Sequence, residues 1–270
     1  MTLDILHIFG YIGAFVVGLV LGIIGSGGSI LSMPILVYLF KFNAVTASAY
    51  SLFIVGITTL TDSFQNFKKR LISYRTTILF SISAVTSVYV TRKYLITLIP
   101  ELIISNNFVV IGKNQLIMIL FGVLMLVAGY LMIKKTPRTI LKFKKTKTIA
   151  PNKLLIFLEG SIVGFLTGLI GAGGGFIIIP ILVILSDLKM KSAVATSLLI
   201  VSTKSLIGFI GDIQNIIIEW NFLIRFTAIS VFGIVVGQII SKKIKENHLK
   251  KIFGSLVLVL GLLILLKEVI

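Results

Sequence analysis

The sequence predicts an all-α, polytopic integral membrane protein: two inverted-topology repeats of about five apolar segments each, with short helices broken at glycines. Three observations predict it. Of the 270 residues, 57% are hydrophobic and the mean hydropathy is +1.10, more apolar surface than a soluble domain of this size can hide. Apolar runs recur along the chain, each about long enough to cross a bilayer, and none alternates as membrane β-strands do. Finally, one glycine-rich stretch occurs twice at a constant offset, the mark of an internal repeat.

In the first half the apolar segments are 6–25, 29–42, 44–64, 76–95 and 115–134. In the second they are 152–171, 175–187, 191–210, 219–240 and 252–269. Residues 1–134 form the first membrane repeat, 135–151 a basic linker and 152–270 the second repeat. The first run follows "MTLDILH", without the basic stretch of a cleaved leader.

The net charge is +17, and its placement excludes nucleic acid as the partner. Lys68, Lys69, Arg70 and Arg75 form one cluster. The linker from Lys134 to Lys153 forms a second, and Lys242 to Lys251 a third. All lie between apolar runs, as cytoplasmic loops do. With the three clusters inside, 76–95 and 115–134 go out and return, and the pair 152–171 and 175–187 is a re-entrant hairpin or two spans. The N-terminus is then outside and the second half begins inside, so the halves run oppositely. Arg92, Lys93 and Lys113 fall outside, where "LITLIPELIISNN" is expected in the interface and charge costs little. Trp220 marks an outer boundary.

The chain has no cysteine, which removes disulfides and thiol chemistry. His7 and His248 are its only histidines, too few for a histidine metal centre. No cofactor is expected. A membrane enzyme would need a nucleophile or an acid–base set, and the isolated carboxylates do not supply one.

"GIIGSGGSILSMP" (Gly22–Pro34) aligns with "GLIGAGGGFIIIP" (Gly168–Pro180) position by position. The match extends upstream to Ala14 and Gly18 over Gly160 and Gly164, and downstream to Ser51 and Leu52 over Ser197 and Leu198. A phosphate loop would need Gly-Lys-Ser/Thr, which is absent. A dinucleotide fingerprint needs a soluble strand–turn–helix. Ala14, Gly18 and Gly22, like Gly160, Gly164 and Gly168, recur every fourth residue and read as tight helix packing. The clustered residues Gly25, Ser26, Gly27, Gly28 and Ser29, and Gly171, Gly173, Gly174 and Gly175, read instead as unwound backbone. Backbone of this kind is tolerated at membrane depth only inside protein or beside water. Two such breaks in matching positions point to a transport site. The helix starting after each break offers free N–H groups to an anion.

These stretches, "GLVLGIIGSGGSILSMPIL" and "GFLTGLIGAGGGFIIIPIL", are each followed by an Ala/Ser-rich helix ("AVTASAYSL", "SAVATSLL"). They resemble the duplicated signature of the sulfite exporter TauE/SafE family, also called the toluene sulfonate uptake permease family. The resemblance implies a carrier in the plasma (inner) membrane of a bacterium, for sulfite, sulfonates or related anions. Ser26 and Ser29 depart from the fuller glycine pattern that Ala172 and Gly175 occupy in the second copy.

Polar groups inside the apolar runs complete the expected site. Ser197, Lys204 and Gly208 share one helical face, matched by Ser51, Thr58 and Asp62. Lys204 either compensates the charge of an anion in the pathway, or snorkels outward, or pairs with Asp62 or Glu159. The hydroxyls of Ser26, Ser29, Thr196 and Ser197 can donate to oxyanion oxygens. Glu159 is read as a paired or interfacial carboxylate or as a group in proton coupling, and Arg225 as an anion attractor or an interfacial charge. The expected partners are a small anionic substrate, the lipid bilayer and a coupling ion, H+ or Na+. The expected function is secondary transport by alternating access. The alternative is a non-transporting membrane scaffold subunit of a partner complex.

Overall fold

The computed structural model describes residues 5–68, 70–106, 109–133, 153–184, 188–241 and 246–269. The basic linker 135–151, Lys69 and the start of the third basic cluster, 242–245, lie outside the described residues.

The first half contains α1 (Ile5–Ile24), a 3-10 turn (Ser26–Leu31), α2 (Ser32–Tyr38), α3 (Ala44–Lys68) and α4 (Tyr74–Val90). A π-helical turn (Thr91–Leu95) and the short α5 (Ile96–Leu98) extend α4. After β1 (Leu102–Asn106) and β2 (Val109–Gly112) comes α6 (Lys113–Ile133). The second half contains α7 (Lys153–Ile170), α8 (Gly175–Ile184), α9 (Met190–Asp212), α10 (Trp220–Ser241) and α11 (Glu246–Val269). Every expected apolar segment thus contains a helix, and among the described residues five helices are long and apolar enough to cross a membrane.

α2 and α8 are not among them. Seven residues make about 10 Å of helix and ten make about 15 Å, against a hydrocarbon core of about 30 Å. The chain turns back on the preceding helix at each break, and α8 then packs on α9 and on the 3-10 turn. A Cβ on Gly28 would meet the backbone of Val20 and Leu21, and one on Gly174 would meet Thr167 of α7.

Without a hydrophobic force between helices in lipid, close backbone approach holds them together. Helix α1 packs on α10, α7 on α4, α3 on α9 and α6 on α11. The upstream glycines lie in the first two of these contacts. A Cβ on Gly18 would collide with the Ser230 carbonyl, and one on Gly164 would run into the backbone of Ala84. Ser230 and Ala84 are themselves related by the repeat offset, so one contact is made twice. The same holds for two helix starts. The Ser73 N–H donates to Thr196 Oγ1 (3.1 Å) ahead of α4, and the Glu219 N–H donates to Tyr50 Oη (2.7 Å) ahead of α10.

The outer faces of these helices remain apolar. Ile78, Ile82, Ile162, Phe232 and Val259 are all exposed, as lipid-facing residues must be. Trp220, at the first position of α10, is half exposed, in keeping with a boundary.

One element is added to the expected fold, and one expectation needs correction. The stretch expected in the interface carries a small antiparallel hairpin, with Leu102 opposite Gly112, Asn106 opposite Val109 and a bulge between Leu102 and Ile104. It is the one β feature among the described residues. Arg92 and Lys113, expected in the interface where charge is cheap, are both buried. The cause is the π turn, which carries Arg92 in toward α3 and α9 before the chain reaches the surface.

Candidate functional site

At the first break α1 ends at Ile24, and Gly25 turns to φ 81°, ψ −152°. That region is open essentially to glycine alone. The chain does not unwind there as expected. It tightens directly into the 3-10 turn, where Ser26 and Gly27 contribute backbone. The second break is unwound. Residues 171–174 are outside any helix: the Gly171 N–H still caps α7 on the Thr167 carbonyl (2.9 Å) and the Gly174 carbonyl accepts from Ile177 and Ile178 (3.0 and 3.1 Å). Gly171 and Gly174 adopt φ 74° and 73°, and α8 starts at Gly175. With one positive-φ glycine the chain merely re-aims, whereas two leave a stretch of open backbone.

The breaks meet in the interior. A Cβ on Gly173 would lie 3.0 Å from Ser29 Cβ and 3.1 Å from its Oγ. Ser29 is fully buried, and its carbonyl accepts a bond from Ser32 Oγ at 2.9 Å. Ser32 Oγ and Ser51 Oγ share a proton-mediated contact of 2.5 Å, which ties the first break to α3.

Lys204 enters the same region from α9 and is fully buried. Its Nζ donates to Thr167 Oγ1 at 2.6 Å and lies 3.4 Å from where a Gly174 Cβ would be. It therefore does not snorkel. Among the described residues no carboxylate forms an ion pair with it, neither Asp62 nor Glu159. Asp62 instead accepts from Gln238 of α10 at 2.7 Å. An ammonium in this setting is costly, yet among the described residues its bonded partner is a neutral hydroxyl, and open backbone lies beside it.

The expected site residues therefore separate. Ser29, Ser51, Gly173, Gly174 and Lys204 come together, with Thr167 added by the fold. Gly25 packs beside Val194 and Gly171 against Ser48, one toward each end of the α3–α9 pair. Gly28 backs onto α1. Thr196 is buried and accepts from the Ser73 N–H, and Ser197 Oγ donates to the Val194 carbonyl at 2.8 Å.

Sequence reasoning missed a second cluster. Arg92 Nε lies 3.0 Å from Asp212 Oδ2, with both side chains buried. Both Arg92 Nη atoms donate to Ser48 Oγ at 2.9 Å. The pair lines a polar cavity of about 420 Å³ together with Asn43, Thr46, Lys113, Asn114 and Asn215. The available signal was an acid and a base at the ends of two apolar runs on one side of the membrane.

Apolar helices around two buried helix breaks define a polytopic helical membrane protein with an interior polar site. The chain belongs to the sulfite exporter TauE/SafE family, whose profile matches residues 11–264. It is 28% identical to a probable membrane transporter protein of Methanocaldococcus jannaschii, covering 93% of this chain and 94% of that one. It is 24% identical to a probable membrane transporter protein of Xylella fastidiosa, with 92% and 91% covered. A probable membrane transporter protein of Bacillus subtilis is 26% identical, with 91% and 94% covered. No solved structure matches the chain. It is a multi-pass membrane transporter with a small-molecule substrate.

Proposed function

We propose that the protein is a secondary transporter of small anions, chiefly sulfur oxyanions or organosulfonates, in the plasma membrane of a bacterium. The carrying observation is Lys204: a buried ammonium with no carboxylate partner among the described residues, set beside open backbone at the second break. A bound anion supplies the missing charge, and a buried cation so paired is far cheaper than a lone one. Amides at Gly173 and Gly174, unshielded by any Cβ, supply donors for its oxygens beside the Lys204 ammonium. The family's description, sulfite exporter, supports the substrate class.

The contacts repeated between the halves support two inverted repeats, 1–134 and 152–270, that rock about α3 and α9 to expose the site alternately. Energy comes from an ion gradient, H+ or Na+, or from the substrate's own gradient.

Purified protein in proteoliposomes tests this with radiolabelled sulfite, a sulfonate, phosphate and chloride under imposed H+ or Na+ gradients. Uptake of sulfur anions that K204M abolishes supports the reading. Movement of a cation instead, or full activity in correctly inserted variants with bulky residues at Gly173 and Gly174, overturns it.

A further inference from the structure

We propose that Arg92 forms a second anion site, at the mouth of the pathway, and that its contact with Asp212 is a latch which an arriving anion displaces. The inference rests on the anion-transport reading. Its first support is how the guanidinium is used. An arginine fork presents two parallel N–H donors that suit the two oxygens of an oxyanion. Here both Nη atoms converge on the single hydroxyl of Ser48. That hydroxyl already donates to the Val45 carbonyl at 2.7 Å, so a fork fully buried in the protein is matched to a neutral, one-atom acceptor.

The latch itself is loose. Nε and Oδ2 are 3.0 Å apart, yet neither atom makes an aligned hydrogen bond. The attraction is between charges, without the directional term that makes paired arginine bonds strong. An incoming oxyanion can offer the fork two aligned acceptors while replacing the charge of Asp212.

Position is the second support. Arg92 and Asp212 both line the polar cavity, with room there for a small anion. Around it Asn43, Asn114 and Asn215 carry neutral amides, Lys113 adds a positive charge and Glu101 a negative one. On its inner side Ser48 abuts Gly171 of the second break. Arg92 also sits on the π-helical turn Thr91–Leu95, an irregularity common at functional sites. Drawing the guanidinium toward the cavity therefore releases Ser48, the residue against which the inner break is packed. An anion bound at the mouth in this way loosens the wall between the cavity and Lys204.

Right-side-out and inside-out membrane vesicles containing the wild type, R92K or D212N test the proposal with radiolabelled sulfite. R92K keeps the charge and loses the fork. It raises KM at one membrane face by roughly tenfold, the worth of a charge-assisted hydrogen bond, and leaves KM at the other face unchanged. D212N removes the competing carboxylate and lowers KM severalfold at that same face. If R92K fails to insert, D212N carries the test alone. Wild-type transport with KM unmoved in both variants, or shifted equally at both faces, overturns the latch and leaves anion transport standing. A wild type that moves no anion overturns both.

Discussion

Lys204 sets two demands against each other. A lysine at the centre of a membrane helix costs about 3 kcal/mol, and one hydroxyl returns part of that. Replacing it with methionine keeps the length, removes the charge and leaves Thr167 able to bond its own helix, as it already does to the Val163 carbonyl at 2.7 Å. K204M is therefore expected to raise the melting temperature in detergent by several degrees while cutting anion flux more than about tenfold. Lower stability together with retained flux would make the lysine structural. The glycines beside it have the opposite character. Gly171 and Gly174 hold positive φ, which costs any other residue about 1–2 kcal/mol. An added methyl would also meet Ser48 backbone at the first and Thr167 at the second. G171A and G174A should both lower the melting temperature, G171A more, since backbone yields less than a side chain. Lys204 was legible in the sequence because it is a charge deep in an apolar run. Arg92 and Asp212 were not, because each ends its run, where a charge ordinarily reaches water, and only packing between the two halves brings them together.

At the scale of elements, helix pairing rests on how near two backbones can come. Gly18 on α1 and Gly164 on α7 make related contacts, with the Ser230 and Ala84 backbones. G18A and G164A are accordingly expected to lower stability by similar amounts, about 1–3 kcal/mol each, read from thermal unfolding in detergent. Gly13 provides the contrast. The atoms nearest a methyl there belong to the Ile35 side chain, from 3.2 Å, which can turn aside, so G13A should be tolerated. A loss in G18A with none in G164A would show that the repeated motif does unequal work. Hydropathy made these elements legible nearly to their ends, because burial in lipid leaves long apolar runs little choice but helix. The hairpin at Leu102–Gly112 escaped notice because a run of Ile and Val between helices reads equally as membrane apolar surface or as strand. The tight 3-10 turn at Ser26–Leu31 also escaped, since its glycines look like those of the unwound second break. Which backbone torsions each glycine adopts is decided by what packs around it.

For the whole molecule, the charge pattern and the repeated contacts make a single claim about orientation. α3 ends at the first basic cluster and α4 leaves it, so Arg70 should face the cytoplasm and Thr97, beyond the far end of α4, the exterior. If the second half runs oppositely, Lys189, at the start of α9, faces the cytoplasm and Glu219, ahead of α10, the exterior. All four positions are exposed, and the chain has no native cysteine to compete. Single cysteines introduced at each can therefore be labelled with a membrane-impermeant thiol reagent in intact cells and in inside-out vesicles. Thr97→Cys and Glu219→Cys should react in cells, and Arg70→Cys and Lys189→Cys only in inverted vesicles. Ser73 and Glu219 occupy equivalent places in the two halves, so finding position 219 on the same face as Arg70 would mean that the halves run in parallel. Parallel halves would put both breaks on one side of the membrane. Gly25 and Gly171 could not then flank opposite ends of the α3–α9 pair, and the rocking motion that joins the Arg92 mouth to Lys204 would lose its second face.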